Sequence, residues 1–289
     1  METFEDIGAA RSQRVWGTAG GFLAVAFAAA GALGAVQQAA GVPAEVIQLA
    51  QFGPAAGVAA LALVQRDRVA RLVRGAGRSG AGRSGAGRSG AGRSGAGRSG
   101  AGRGAALLAT APLITVLAIL AYLLVQGGTA DGWFTRPGSL EHSFALIVVA
   151  QLVGACAEEL GWRCLLQPLL RTRFGVLASS VAVGVLWGLW HVPVFAQRPQ
   201  YAAAFLAATV AMSVVLGLAL EGTGGARRLL LAGGFHTLVN LGMLLFLDEE
   251  SGAVLPMVCF GSACLLAALP WVMRTPSGAG SAAATLHRT

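Results

Sequence analysis

Long apolar stretches separated by short polar segments dominate the pattern of this sequence. Eight of the stretches are long enough, or nearly so, to cross a lipid bilayer, which takes about 20 helical residues. They cover residues 16–37, 44–64, 105–126, 143–166, 174–195, 201–220, 229–247 and 253–273. The pattern predicts an all-α fold, a polytopic membrane bundle of about eight transmembrane helices.

The composition supports a membrane location. Charged residues make up 12% of the 289 residues and hydrophobic residues 55%, whereas a soluble domain carries about 25% charged residues. Lipid must therefore cover much of the surface. The net charge of +8 comes from arginine, since the chain has no lysine. Most arginines outside one simple repeat lie between the apolar stretches, so we expect no nucleic-acid partner.

The arginines also orient the predicted bundle. If there are eight spans, one side of the membrane carries Arg11, Arg14, Arg66, Arg68, Arg71, Arg74, Arg171, Arg173, Arg227, Arg228 and Arg274. The other side carries only Arg136 and Arg198, together with several acidic residues. The positive-inside rule then predicts a multi-pass protein of the cell membrane with both termini in the cytoplasm.

A low-complexity segment divides the chain into parts. Residues 75–104 repeat the unit Gly-Ala-Gly-Arg-Ser, which has nothing to bury and predicts a flexible cytoplasmic loop. The loop either tethers the protein to anionic headgroups or has no specific role. It separates an N-terminal two-helix segment (1–74) from a membrane core (105–273), and a disordered tail follows at 274–289.

Ionisable residues interrupt three of the apolar spans. They form the groups Glu158-Glu159-x-x-x-Arg163, Trp187-x-x-x-His191-x-Pro193 and His236-x-x-x-Asn240. Because charge inside a membrane is costly, such residues are by default functional candidates rather than packing residues. Purely structural packing is the less favoured interpretation of this cluster.

Helical geometry indicates what each group can do. Glu159 and Arg163 are four residues apart and can form an ion pair that makes their burial tolerable. Glu158 is displaced by about 100° from Glu159, so it is free to point into a cavity as a general base. Pro193 should end or bend the fifth span just after His191.

In this order, the three groups resemble the motif set of the CPBP intramembrane proteases. That family comprises the type II CAAX prenyl endopeptidases and bacteriocin-processing or immunity proteins. One departure is that Trp187 stands where phenylalanine is usual, which keeps an aromatic wall. The resemblance covers the membrane core and does not extend to the two N-terminal helices or the arginine repeat.

The resemblance implies a role for each residue. Glu158 would activate water for attack on a peptide carbonyl, and His191 would position or polarise that water. His236 and Asn240 would stabilise the tetrahedral oxyanion. The remaining three residues would support them, namely Glu159, Arg163 and Trp187.

The sequence leaves the cofactor open. Glu158, His191 and His236 could supply the two-His, one-carboxylate set of a catalytic zinc ion. A metal-free glutamate mechanism is the slightly favoured interpretation, because Asn240 paired with His236 suits an oxyanion hole better than a zinc site.

The function predicted is that of an intramembrane endopeptidase that cuts a membrane-associated or hydrophobic peptide or protein. Its partners would be that substrate and the lipid bilayer, and prenylation of the substrate is not implied. One alternative is a non-catalytic membrane immunity or scaffold protein that binds a peptide. A proton-coupled transporter is less favoured, because no two halves of the chain show matching interrupted spans.

Overall fold

The protein is seen here in a computed structural model that describes residues 4–75, 93–127, 134–247 and 252–274, with side chains described from residue 12 and, after the gap, from residue 101. Eight helices account for most of these ranges, which contain no strand. The helices are α1 (Phe4–Ala40), α2 (Gly53–Arg74), α3 (Arg93–Val125), α4 (Phe144–Leu170), α5 (Val176–Trp190), α6 (Pro199–Ala219), α7 (Gly225–Phe246) and α8 (Val254–Met273).

The length and composition of the helices confirm a polytopic helical membrane protein. Six helices are long and apolar enough to cross a membrane, namely α1, α3, α4, α6, α7 and α8. Helix α5 is apolar but shorter. Each of these seven helices corresponds to one predicted stretch, with ends that differ from the prediction by a few residues in most cases.

The predicted second span, 44–64, is wrong in its first part. The chain turns after Gly41, which has a positive φ of 62°, and forms only a short 3-10 helix at Leu49–Phe52 before α2 begins. Gln37 stabilises this irregular segment, since its Nε2 donates to the Val42 and Ile47 carbonyls and its Oε1 accepts from Leu49 N. These bonds serve backbone groups that lipid could not satisfy.

Two other predicted segments are only partly described. Helix α3 begins at Arg93, inside the predicted loop 75–104, whereas residues 76–92 of that loop lie outside the described residues. The predicted tail 274–289 lies outside them as well, except for Arg274.

The arginine-rich helix ends lie together at one end of the bundle. Arg68 Nη1, near the end of α2, donates to Arg14 O at 3.1 Å and to Thr18 Oγ1 at 2.7 Å. After α4, Arg171 pairs with Glu221 at 2.6 Å. Helices α1 and α2 are therefore antiparallel, as the distribution of arginines predicted.

Close helix packing against α6 fixes the position of α5. At Gly184, an added Cβ would lie 2.7 Å from Val210 Cα of α6. Small residues at such crossings let membrane helices approach closely. Helix α5 is thus held against α6, and the side chains at its end are held with it.

Candidate active site

Helices α4, α5 and α7 meet at a cavity of about 440 Å³. Five of the predicted site residues line it, namely Glu158, Trp187, His191, His236 and Asn240. Helix α5 ends at Trp190, three residues before Pro193, and His191 follows as its C-cap with ψ at 60°. This predicted break brings His191 beside Trp187, with ring centroids 6.0 Å apart, and the ring of His236 lies 5.1 Å from that of Trp187.

Glu158 is the buried carboxylate among the residues that line the cavity. It is only 1% exposed. Trp187 Nε1 donates a hydrogen bond of 2.9 Å to Glu158 Oε2. Because an indole N–H can only donate, it orients the carboxylate and engages one of its two oxygens.

Glu159 and Arg163 form the predicted ion pair on the neighbouring face of α4. Arg163 Nε lies 3.3 Å from Glu159 Oε2, and both side chains are buried. The other oxygen, Oε1, lies 3.1 Å from His236 Nδ1. The Arg163 guanidinium carbon lies 4.7 Å from the centre of the Trp187 ring. The pair thus supports two residues that line the cavity, His236 and Trp187.

Arg163 lies in a π-helical segment, Leu160–Leu166, which interrupts α4 just after Glu159. Segments of this kind are rare and frequently occur at functional sites. No pattern in the sequence indicated this change in helical geometry.

Both cavity histidines are oriented through Nδ1. His191 Nδ1 lies 2.8 Å from the carbonyl oxygen of Trp187. Since a carbonyl can only accept, Nδ1 must be the protonated nitrogen. His236 Nδ1 donates in the same way to the Glu159 carboxylate. In each ring, Nε2 is therefore the nitrogen left for chemistry in the cavity.

Asn240 is held by a residue that sequence reasoning missed. Its Nδ2 donates to Gln151 Oε1 at 3.0 Å. Gln151 lies seven residues before Glu158 on α4, so the two share a helix face. Gln151 could have been identified from the sequence, because it is a polar residue within an apolar span and lies on the same helix face as Glu158.

The N-terminal segment also contributes a wall that the sequence did not predict. Glu45, Gln48 and Gln51 line the cavity. Glu45 Oε1 accepts from the backbone N of His142 at 3.1 Å, which ties this wall to the start of α4. Gln51 packs at Gly154 of α4, where an added Cβ would collide with Gln51 Oε1. The spacing of three between these polar residues was the available signal.

A metal site was one expectation for Glu158, His191 and His236. They share the cavity, but within the described ranges no group of three His, Cys, Asp or Glu side chains is placed to hold a metal ion. As arranged, these side chains do not fit a three-ligand zinc centre. Zinc binding stays a prediction from the sequence.

Comparison with known proteins shows what the part of the chain that carries these residues is similar to. Residues 140–242 match the family model of the Rce1-like, type II CAAX prenyl endopeptidases. CAAX prenyl protease 2 of Methanococcus maripaludis is 26% identical over 162 residues, which cover 52% of this chain and 59% of that protein. Lysostaphin resistance protein A of Staphylococcus epidermidis is 25% identical over 122 residues, which cover 42% of this chain and 31% of that protein.

The match includes all three motifs, from Glu158 to Asn240, and leaves the N-terminal helices outside it. The chain spans about three-fifths of the archaeal relative and about a third of the staphylococcal one. The resemblance predicted from the motifs is thereby confirmed: the part of the chain that carries them matches the Rce1-like family of type II CAAX prenyl endopeptidases.

Proposed function

We propose that the protein is an intramembrane endopeptidase that cuts a membrane-associated or hydrophobic peptide, with Glu158 as the general base. The observation that carries the proposal is the arrangement around Glu158. Its carboxylate is buried, is oriented by Trp187 Nε1, and shares a cavity with His191, His236 and Asn240. The family match of the core supports a peptidase in general and leaves these individual roles to experiment.

In the proposed reaction, Glu158 takes a proton from water while the water oxygen bonds to the carbon of the scissile carbonyl. His191 Nε2 accepts a hydrogen bond from that water and positions it. The proton on Glu158 then passes to the leaving nitrogen as the C–N bond breaks, giving a carboxylate and an amine. No step of this reaction uses a metal ion.

The oxyanion formed during attack would be stabilised by His236 and Asn240. Asn240 has two N–H groups and gives one of them to Gln151. His236 can donate through Nε2, while Nδ1 donates to Glu159, only as an imidazolium. The Glu159 carboxylate at 3.1 Å favours that cation. Favouring the imidazolium of His236 would give Glu159, the second buried carboxylate beside the proposed general base, a role in the reaction.

The cavity lining favours a hydrophobic substrate that approaches from one end of the bundle. Its apolar walls are formed by Phe205, Met212, Val239, Met243 and Phe260. Glu45 and Gln197 also line it, and both lie in connections between helices at the end of the bundle opposite the arginine-rich end. With the arginine-rich end in the cytoplasm, as the positive-inside rule favours, substrate enters from the other side of the membrane.

The function is tested with the purified protein in detergent and a library of quenched fluorescent peptides, with metal content measured in parallel. We expect cleavage that persists in the presence of a chelator. Activity that a chelator abolishes and zinc restores would replace the metal-free mechanism with a metal-dependent one. Peptide binding without cleavage would overturn the proposal and favour the non-catalytic alternative.

The Gln151–Asn240 bond predicts a graded effect on the same assay. In Gln151→Leu, Asn240 loses the acceptor that orients it, so we expect kcat to fall about ten-fold to a hundred-fold with little change in KM. Complete loss of an oxyanion donor costs about 10² to 10³. Gln151→Glu keeps an acceptor at the same place, so its kcat should exceed that of Gln151→Leu, while the buried charge that it adds on the same helix face as Glu158 should keep kcat below the wild-type value.

The two Gln151 variants serve as controls for one another because both are close in size to glutamine. If Gln151→Leu and Gln151→Glu lose activity equally while the protein stays folded, Gln151 does not act through Asn240.

A further inference from the structure

A second cavity, of about 710 Å³, lies at the arginine-rich end of the bundle. Its walls come from α2, α4, α6, the start of α7 and the turn that leads into α7. The charged residues that line it are Arg68, Arg71, Arg163, Arg171, Arg228 and Glu221. Arg163 is paired with Glu159 outside the cavity, and the other four arginines face a single carboxylate, so the cavity is basic.

The single carboxylate does not neutralise the cavity because Arg171 already engages it. Arg171 Nε and Nη2 donate to the two oxygens of Glu221 at 3.2 and 2.6 Å. Bidentate pairing of this kind uses both carboxylate oxygens. Among the described residues, Arg68, Arg71 and Arg228 form no ion pair with this carboxylate, although Arg228 lies close enough to be stabilised by its charge.

Local electrostatics show that these charges affect one another. Partial burial, together with the positive charges of Arg14 and Arg71, lowers the pKa of Arg68 from its usual value. Arg228 Nε is buried and has no hydrogen-bond partner within the described part of the chain. A buried guanidinium N–H without an acceptor is costly.

The start of α7 adds to the positive field. This helix begins at Gly225 with no acidic residue in its first turn and no side chain capping its N-terminus, yet it carries Arg227 and Arg228 there. Cations at the positive end of a helix dipole are unfavourable, whereas an anion at that position is stabilised. Gly222 and Thr223, just before this helix, line the cavity.

We infer that this cavity binds a phosphate group, and that its occupant is the headgroup of an anionic membrane lipid. Planar guanidinium groups match phosphate oxygens in geometry and charge. The cavity lies where the helices reach the arginine-rich surface, which is where basic pockets between membrane helices take lipid headgroups. Its volume of about 710 Å³ is in the range of sites that hold small organic molecules and exceeds what a free phosphate ion needs.

The bound headgroup would join the N-terminal segment to the catalytic core. Arg68 and Arg71 belong to α2, whereas Gln167 belongs to α4, Arg171 directly follows α4, and Arg228 belongs to α7. A phosphate contacting residues from these three parts of the bundle stabilises the wall that the N-terminal segment gives to the catalytic cavity. Binding itself does not depend on the proposed peptidase activity.

The test uses the full-length protein in phosphatidylcholine nanodiscs with and without phosphatidylglycerol, and delipidated protein in detergent with inorganic phosphate. Bound lipid is measured by native mass spectrometry and stability by thermal unfolding. We expect phosphatidylglycerol to be retained and to raise Tm. Arg71→Gln should weaken binding about ten-fold, the effect of losing one charge-assisted contact.

Arg66→Gln is the matched control, because Arg66 lies on the same helix and does not line this cavity. Equal lipid binding by Arg71→Gln and Arg66→Gln, or no preference for phosphatidylglycerol over phosphatidylcholine, would overturn the inference. Inorganic phosphate that binds and displaces the lipid would support the phosphate site but identify free phosphate as a second occupant. Arg228→Gln provides a second variant from a different helix.

Discussion

Glu158→Gln is expected to reduce peptidase activity at least about 10² to 10⁴-fold, the usual contribution of a general base. Glutamine has the size of glutamate and keeps an oxygen that can accept the hydrogen bond from Trp187 Nε1, 2.9 Å away in the wild type. It cannot take a proton from water. The change therefore removes the basic group and leaves the geometry of the cavity in place.

The measurement is kcat/KM on the peptide that the library assay identifies, together with Tm in the same detergent. Glu159→Gln is the matched control, since the same chemical change is made one residue away on the same helix. We expect Glu158→Gln to lose activity at nearly unchanged Tm. Glu159→Gln, by contrast, should lower Tm because Arg163 loses its ionic partner, and it should lower kcat less than Glu158→Gln does because Glu159 acts on the reaction only through His236.

Retention of more than about a tenth of wild-type activity in Glu158→Gln would exclude Glu158 as the base, because a general base contributes at least about 10²-fold. Loss of activity together with loss of fold would leave Glu158 with a structural role instead. Normal peptide binding by an inactive, folded Glu158→Gln protein would be the expected companion result.

Contacts within one helix could be predicted from the sequence. The spacing of Glu159 and Arg163 predicted their ion pair, and Pro193 predicted the end of α5 beside His191. The family resemblance carried by the three motifs implied that Glu158 and His236 would act at one site, and both line the same cavity. These predictions rest on helix geometry and on the family resemblance.

Contacts between helices and irregular backbone could not be predicted in the same way. Hydropathy reports only how apolar a segment is and not its backbone conformation. Residues 44–52 are therefore predicted as part of a membrane helix, although the chain turns there and forms only a short 3-10 helix. Nothing in the spacing of Gln151 names Asn240 as its partner, since the two lie on different helices. The π-helical segment at Leu160–Leu166 depends on packing around α4 and has no period that a sequence reveals.

Arg163→Met is expected to destabilise the protein by about 3–5 kcal/mol, the cost of leaving one partner of a buried ion pair unpaired. Glu159 is fully buried, and without Arg163 its charge would keep only the contact with His236. Methionine fills much of the same space with an apolar chain, so the loss reports mainly the uncompensated charge. Reversible unfolding in mixed detergent micelles measures the free energy of unfolding.

The double variant Glu159→Gln/Arg163→Met separates stability from catalysis. It removes both charges, and exchanging a whole buried pair for neutral groups is often close to neutral for stability. We therefore expect the double variant to recover most of the stability lost in Arg163→Met. The substituted glutamine side chain would still accept from His236 Nδ1 but would not favour an imidazolium, so kcat should stay low. If the double variant is as unstable as Arg163→Met, Arg163 stabilises the protein through packing on Trp187 rather than through its charge. If the double variant has the kcat of the wild type, His236 does not need the charge of Glu159.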